Sequence, residues 1–159
     1  MLGLCRRYIK DSNEAESVMI TGFLKVFDKI DQFSGEGSFE GWVRRIMVNE
    51  SLLYLRKNKG MYIEVDIEYA DLEPNYDLAS ANLQTEDLLK LVNSLPVGYR
   101  TVFNMFAIEG YSHQEIANKL QISENTSKSQ LSRARKMLQK QIIEKEAMWD
   151  ENRRNHGKA

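Results

Sequence analysis

The residues with the most evident chemistry lie between Ser112 and Leu138, where a short turn separates two helix-forming segments. The second segment places hydroxyl, amide and basic side chains on one side of a helix, opposite an apolar stripe. Such a side offers hydrogen-bond donors to phosphates and base edges, so the helix could enter the major groove of DNA. The candidate duplex-binding residues are Asn125, Thr126, Ser129, Ser132, Arg133 and Lys136.

Two short helices must position that polar face. Ser112 is predicted to cap the first helix, with Glu115 closing a capping box, and Ser123 is predicted to cap the second. Apolar residues at helical spacing then form one stripe on each helix. The stripes comprise Ile116, Ala117 and Leu120 on the first helix, and Leu131, Ala134, Leu138 and Ile142 on the second.

A polar helix face is more often only solvated, so the local charge matters. From Gln114 to Lys140 the chain has six basic and two acidic residues, a balance of +4, the sign that a phosphate backbone requires. The formal net charge of the whole chain is −1 and gives no such argument. Residues 61–90 hold one basic and eight acidic residues. We expect this acidic segment to be a solvated connector. Alternatively, it could screen the basic surfaces from each other or mimic nucleic acid.

A second set of capable residues lies on a predicted helix from Ser38 to about Arg56. Trp42, Arg45, Asn49 and Arg56 form a strip between two apolar stripes. Guanidinium groups hold phosphates, an amide can contact a base edge, and an aromatic ring can stack on an unpaired base. Each residue also has a structural alternative. Trp42 could instead belong to the core, which is the interpretation that we favour. The arginines could be solvated, and Asn49 could form a hydrogen bond with a neighbouring backbone group. Glu50 falls within an apolar stripe, where the pattern does not explain it.

Helical spacing and the presence of only two prolines predict an all-α chain of two small domains. The 159 residues are 42% apolar and 28% charged, which is an ordinary soluble composition, and the length allows one domain or two small helical ones. We predict a helical domain at 1–60, an acidic linker at 61–81 with a short extended piece at 63–67, a helix-turn-helix domain at 82–143, and a frayed polar tail at 144–159. In the first domain Asn13 is predicted to cap a helix on which one face is lined by Met19, Phe23, Val26, Phe27 and Ile30.

Several classes of protein find no support in the sequence. The single cysteine, Cys5, cannot form an internal disulfide, and no apolar run is long enough for a membrane span or a signal peptide. His113 is expected to be a surface residue. The chain has no Gly-rich phosphate loop, metal-ligand spacing or nucleophile motif, so we expect neither an enzyme nor a bound cofactor or metal. A cytoplasmic location is expected.

In this order, and joined by an acidic linker, the two sets of residues resemble the extracytoplasmic-function sigma factors of bacterial RNA polymerase. The matching segments are FLKVFDKIDQF, GSFEGWVRRIMVNESLLYLRK, LVNSLPVGYRTVFNMFAIEGYSHQEIANKL and SENTSKSQLSRARKML. The resemblance implies that the first domain binds a clamp of core RNA polymerase and melts the minus-ten promoter element. It also implies that the second domain docks its helix-turn-helix on the minus-thirty-five element.

The resemblance also assigns roles to residues by position. It implies contacts with the melted strand by Trp42, Arg45 and Asn49. We predict the same contact for Arg56, because it lies on the same strip. It implies duplex contacts by Thr126, Ser129 and Arg133, and polymerase contacts by Phe23, Lys25 and Asp28.

The sequence departs from the family pattern in three places. The first domain is expected to be short at its N-terminus, because Met1 falls within the first helical region. Ser17, Ile20, Thr21 and Gly22 stand where the family has an acidic residue and then a Gln–acid pair. Gln121 replaces a glycine in the turn, and a left-handed conformation there would cost about 1 kcal/mol.

Two other functions therefore stay open. One is a DNA-binding regulator that retains the helix-turn-helix but has lost tight polymerase binding, which the departures at Ser17, Ile20 and Thr21 favour. The other is an enzyme or small-molecule sensor, which no group of residues supports. Whether the protein has an anti-sigma partner also stays open.

Overall fold

A computed structural model describes residues 1–58 and 85–156. Within these ranges all regular structure is helical, which confirms the all-α prediction. The chain divides into two compact units, Met1–Val65 and Asp66–Ala159. The predicted linker at 61–81, with its extended piece at 63–67, lies outside the described residues. None of the described helices is both long enough and apolar enough to cross a membrane.

The first unit consists of three packed helices: α1 (Leu2–Tyr8), α2 (Ser12–Asp28) and α3 (Phe39–Asn58), with a 3-10 turn at Ile30–Gln32 after α2. Each helix contacts the other two. The buried apolar side chains of this unit include Leu4, Tyr8, Ile9, Val18, Val26, Val43, Met47, Val48, Leu52 and Leu55.

The start of α2 differs from the prediction, and most of its predicted apolar face lies outside the core. Asp11, rather than Asn13, caps the helix, since its carboxylate accepts hydrogen bonds from the backbone N–H groups of Asn13 at 2.9 Å and Glu14 at 3.0 Å. On the predicted apolar face Val26 is buried, whereas Phe23, Phe27 and Ile30 are exposed.

Small side chains explain which face of α2 is buried. The buried residues are Ala15, Val18, Gly22 and Val26. A Cβ atom at Gly22 would overlap the sulfur of Met47 on α3, so the two helices approach closely where α2 has no side chain. The larger apolar residues of α2 consequently lie on its outer side.

The second unit packs its helices on one long helix. It comprises α4 (Thr85–Ser94), α5 (Val97–Phe103), a π-helical segment (Asn104–Ile108), α6 (His113–Leu120) and α7 (Glu124–His156). Helices α4, α5 and α6 all contact α7. One core cluster joins Leu95, Tyr99, Ala134 and Leu138.

Helix α7 is longer than predicted, because it continues to His156 instead of fraying from residue 144. Two ion pairs hold its later turns. Lys145 Nζ lies 2.9 Å from Asp87 Oδ1 on α4, and Lys140 pairs with Glu144 one turn on, at 3.9 Å. A pair at i and i+4 such as Lys140–Glu144 stabilises a helix by a few tenths of a kcal/mol. The polar sequence of residues 144–159 did not indicate that the helix would continue.

Candidate nucleic-acid interface

Local hydrogen bonds cap the starts of both α6 and α7. Ser112 Oγ accepts from the backbone N–H of Glu115 at 3.2 Å, and Glu115 Oε2 accepts from the N–H of Ser112 at 2.8 Å. Ser123 Oγ accepts from the N–H of Thr126 at 2.9 Å. The predicted capping box and the predicted cap of α7 are therefore confirmed.

Gln121 takes the left-handed conformation in the turn between α6 and α7, at φ 57° and ψ 42°. It is the only non-glycine residue with positive φ among the described residues. A side chain in this region of backbone space costs about 1 kcal/mol. The turn therefore has a tight left-handed geometry although Gln121, and not a glycine, occupies this position.

Packing determines which side of α7 faces outward. Leu131, Ala134 and Leu138 are buried, as predicted, and on α6 Ile116 and Leu120 are buried too. Ile142 is only half-buried. Since the apolar stripe is held against α5 and α6, the opposite side of α7 is left for other contacts.

All six predicted duplex-binding residues lie on the first turns of α7. Asn125, Ser129 and Ser132 are exposed, whereas Thr126, Arg133 and Lys136 are half-buried. The hydroxyls are oriented by their own helix: Thr126 Oγ1 lies 2.8 Å from Ser123 Oγ, and Ser129 Oγ donates to the carbonyl of Thr126 at 3.0 Å. Contact with DNA stays a prediction for each of these residues.

His113 is half-buried, which differs from the predicted surface position. Its Nδ1 lies 2.9 Å from the oxygen of the buried Ser127 on α7, and its ring stacks on Phe106 with centroids 4.5 Å apart. Burial lowers the pKa of His113. The nearby charges of Lys128 and Arg135 lower this pKa further, whereas Glu124 raises it. His113 therefore joins α6 to α7 through its contact with Ser127, and its lowered pKa favours the neutral ring. Its position at a helix start did not reveal this role.

In the first unit, Ser38 and an aromatic cluster position the strip on α3. Ser38 Oγ accepts from the N–H of Gly41 at 3.2 Å, so the predicted cap is confirmed. Trp42 is half-buried, with its ring 5.6 Å from that of Phe33 and 5.8 Å from that of Phe39. Trp42 thus packs at the start of α3 and not in the deep core.

The other members of the strip, Arg45, Asn49 and Arg56, are exposed on α3. The structure therefore places two guanidinium groups and an amide outward on the helix that carries Phe39 and Trp42. Among the described residues, no group of three or more His, Cys, Asp or Glu could hold a metal ion. Contact with a melted strand stays a prediction for the strip.

The predicted polymerase-binding residues have different environments. Phe23 and Asp28 are exposed. Lys25 is half-buried and forms an ion pair with Glu50 of α3, with Nζ 2.7 Å from Oε1. This pair explains why Glu50 interrupts an apolar stripe, a question that periodicity within α3 could not answer.

An exposed apolar stripe runs along the outer side of α2 and into the turn that follows. Phe27 is 71% exposed, which is unusual for so large an apolar side chain. The other members recur at helical spacing around it. The exposed apolar stripe comprises Ile20, Phe23, Leu24, Phe27 and Ile30.

Comparison with known proteins covers both units. The family model described as Sigma-70 region 2 matches residues 1–60, and that described as Sigma-70, region 4 matches residues 85–138. The ECF RNA polymerase sigma factor SigW of Bacillus subtilis is 30% identical over 153 residues, covering 87% of this chain and 81% of the relative. The ECF RNA polymerase sigma-E factor of Haemophilus influenzae is 29% identical over 153 residues, covering 88% and 80% respectively.

A solved structure has a similar fold. It is the sigma factor RpoE of Bartonella quintana in complex with the anti-sigma factor NepR. The match has a TM-score of 0.58 and 23% identity, and covers 90% of this chain and 89% of that one.

Proposed function

This chain belongs to the extracytoplasmic-function sigma factors of RNA polymerase, and from that membership we propose that it directs the polymerase to specific promoters. It does so by contacting two promoter elements and aiding strand opening, while synthesis belongs to the polymerase. The protein thus works without a catalytic residue or cofactor of its own, in the cytoplasm.

The capped helix-turn-helix is the observation that carries this proposal. It buries the apolar side of α7 and leaves a polar, basic side outward. In this arrangement α7 is the recognition helix for duplex DNA and enters the major groove with its first turns leading, as the second helix of a helix-turn-helix does. Arg133 and Lys136 contribute mainly through phosphates, which supply affinity. Thr126 and Ser129, with short side chains near the helix start, are the candidates for base contacts, which supply specificity.

The strip on α3 is the candidate for strand opening. An unpaired base needs an aromatic face to stack on, and its backbone needs cations. Trp42, within its cluster of aromatic rings, offers the former, and Arg45 and Arg56 offer the latter. Asn49 can satisfy the edge of a base that leaves the duplex, which helps to offset the few kcal/mol that unstacking costs.

The exposed apolar stripe of α2 favours polymerase binding. Contiguous apolar surface on a small domain is typical of a protein-binding site. This feature weighs against a regulator that has lost its polymerase, even though Ile20 stands where the family pattern differs. The domain bounds that we propose are 1–60 for polymerase and melted-strand contacts and 82–143 for the duplex. An anti-sigma factor that covered the same stripe would compete with the polymerase.

Run-off transcription tests the proposed function. Purified protein is combined with core RNA polymerase and a randomised promoter library. The proposal predicts transcripts from a subset of templates that share two elements, and none from the same templates with core polymerase alone. Specific binding to DNA without any transcript would instead identify a DNA-binding regulator.

A further inference from the structure

The ion pair between Lys25 and Glu50 connects α2 to α3 in an unusual way. The two atoms lie 2.7 Å apart; the side chain of Glu50 is 9% exposed and that of Lys25 is 40% exposed. Glu50 is followed on α3 by the buried Ser51 and Leu52. A carboxylate in such surroundings is costly unless a cation compensates it, and Lys25 provides that cation from the other helix.

This ion pair is buried only on the Glu50 side, and it contributes little to net stability. Taking the carboxylate out of water costs about as much as its attraction to the partly exposed Lys25 ammonium returns, and well-packed apolar replacements of buried pairs are often neutral or stabilising. What the pair adds is a directional contact, because one ammonium must meet one carboxylate. Apolar contacts between the same helices would permit small rotations that this contact does not.

A second contact between the helices lies three residues earlier on each. Gly22 of α2 approaches the side chain of Met47 of α3 so closely that a Cβ atom would overlap it. Gly22–Met47 and Lys25–Glu50 together hold α3 at two points along its axis. Two separated contacts restrict rotation of a helix more than either contact alone.

The direction of the α3 strip follows from this rotation. Asn49 immediately precedes Glu50, so the two side chains diverge by about 100° around the helix axis. With Glu50 held against α2, Asn49 lies on the exposed side, as does Arg45. A rotation of α3 that released Glu50 would move both residues out of place.

We propose that Lys25 and Glu50 are positioning residues that fix the rotation of α3 and so hold Asn49 and Arg45 in place for strand opening. This inference rests on the proposed function and deepens it. It assigns to Lys25 an internal role in place of a direct contact with the polymerase.

A charge swap and an apolar replacement test the proposal. The full-length variants are Lys25→Glu, Glu50→Lys, the double variant with both changes, and the double variant Lys25→Met with Glu50→Met. Strand opening is measured as permanganate reactivity of promoter thymines at saturating core polymerase, with polymerase affinity and thermal unfolding measured in parallel. Lys29→Met, which removes an exposed cation at the end of α2, is the matched control.

We expect the Met–Met variant to fold and bind polymerase like the unaltered protein, yet to open promoters about fivefold less well, since only the directional contact is lost. The charge-swapped double variant should recover opening relative to either single variant, and Lys29→Met should open normally. Normal opening by the Met–Met variant, or a double swap as defective as the single changes, would overturn the inference. If the unaltered protein opens no promoter with core polymerase, the proposed function fails and this inference with it.

Discussion

The two units hold their outward residues by different means. In the second unit, Ser112 caps α6, Ser123 caps α7, and one apolar stripe of α7 is buried. In the first unit, the strip on α3 depends on contacts with another helix, Gly22 with Met47 and Lys25 with Glu50. The residues proposed for the duplex thus lie on a capped helix with one continuous buried side, whereas the placement of those proposed for the melted strand depends on two specific contacts with another helix.

This difference suits the two tasks that we propose. A helix that enters an intact groove works as a rigid body, so a capped helix with a continuous buried side is sufficient. Bases extruded from a duplex must meet several groups at once, and small rotations of α3 would misplace them. Changes in the core of the second unit should therefore abolish duplex binding altogether, whereas changes around α2 should separate binding from opening.

The largest expected effect is in the core of the second unit. Leu131→Ala should lower the free energy of unfolding by about 2–5 kcal/mol, because it leaves a cavity under α7, and duplex binding should be lost with it. Thermal unfolding of the full-length protein measures the change. Ile143→Ala truncates an exposed residue of the same helix and should change the free energy by less than about 0.5 kcal/mol. Equal effects of the two changes would mean that α7 is oriented differently.

The exposed apolar stripe of α2 provides the next effect. Phe27→Ala should weaken polymerase binding by about 1–2 kcal/mol, as loss of a large aromatic anchor does at interfaces, while thermal stability stays unchanged. Titration with labelled core polymerase measures the affinity, and Leu88→Ala, an exposed apolar residue outside the stripe, serves as control. Unchanged affinity for Phe27→Ala would remove the stripe from the polymerase interface.

A pH dependence should distinguish the second unit from the first. The pKa of His113 is lowered, chiefly by burial, so the unfolded chain takes up a proton more readily than the folded one. Stability from neutral His113 is therefore complete above pH 6.5, the ordinary value for histidine, and is lost as the pH falls below it. His113→Gln should remove this part of the pH dependence of the unfolding temperature. An identical pH profile in the variant would show that His113 does not couple α6 to α7.

The smallest effect concerns Lys136 and the salt dependence of duplex binding. Lys136→Ala should weaken all DNA sequences about equally and reduce the slope of log affinity against log salt by about one unit. Fluorescence anisotropy at several salt concentrations gives the slope. Lys29→Ala, which removes the same charge from the first unit, should leave the slope of the helix-turn-helix contact unchanged. A full slope for Lys136→Ala would place this side chain away from the phosphates.

Local features of the fold could be predicted from the sequence, and long-range ones could not. The caps at Ser112, Ser123 and Ser38 follow from residue type and spacing within one turn of helix. The sequence predicted an apolar face on α2 but not that most of it is exposed, because periodicity cannot distinguish a core-facing stripe from an exposed one. The partner of Glu50 lies 25 residues away, which no pattern within α3 indicates.

The same distinction applies to the candidate site. The sequence indicated which side of α7 is polar, because the apolar stripe determines the opposite side. It could not show that His113 packs between α6 and α7, or that Trp42 joins Phe33 and Phe39, since these contacts depend on how separate elements meet. The roles of the predicted DNA-contacting residues depend on DNA itself and stay predictions.

The central claim is that the first unit opens the promoter strands and the second unit recognises the duplex. A comparison of Asn49→Ala with Ser129→Ala on one promoter tests this claim most directly. Each variant is assembled with core polymerase and examined by DNase protection and permanganate reactivity. The account predicts that Asn49→Ala keeps normal protection of the upstream element but loses thymine reactivity, as expected if its amide contacts an extruded base. It predicts that Ser129→Ala relaxes the preference at one upstream position, while promoters that it still binds open normally. Normal thymine reactivity with Asn49→Ala would contradict the account and leave Asn49 a structural residue of α3.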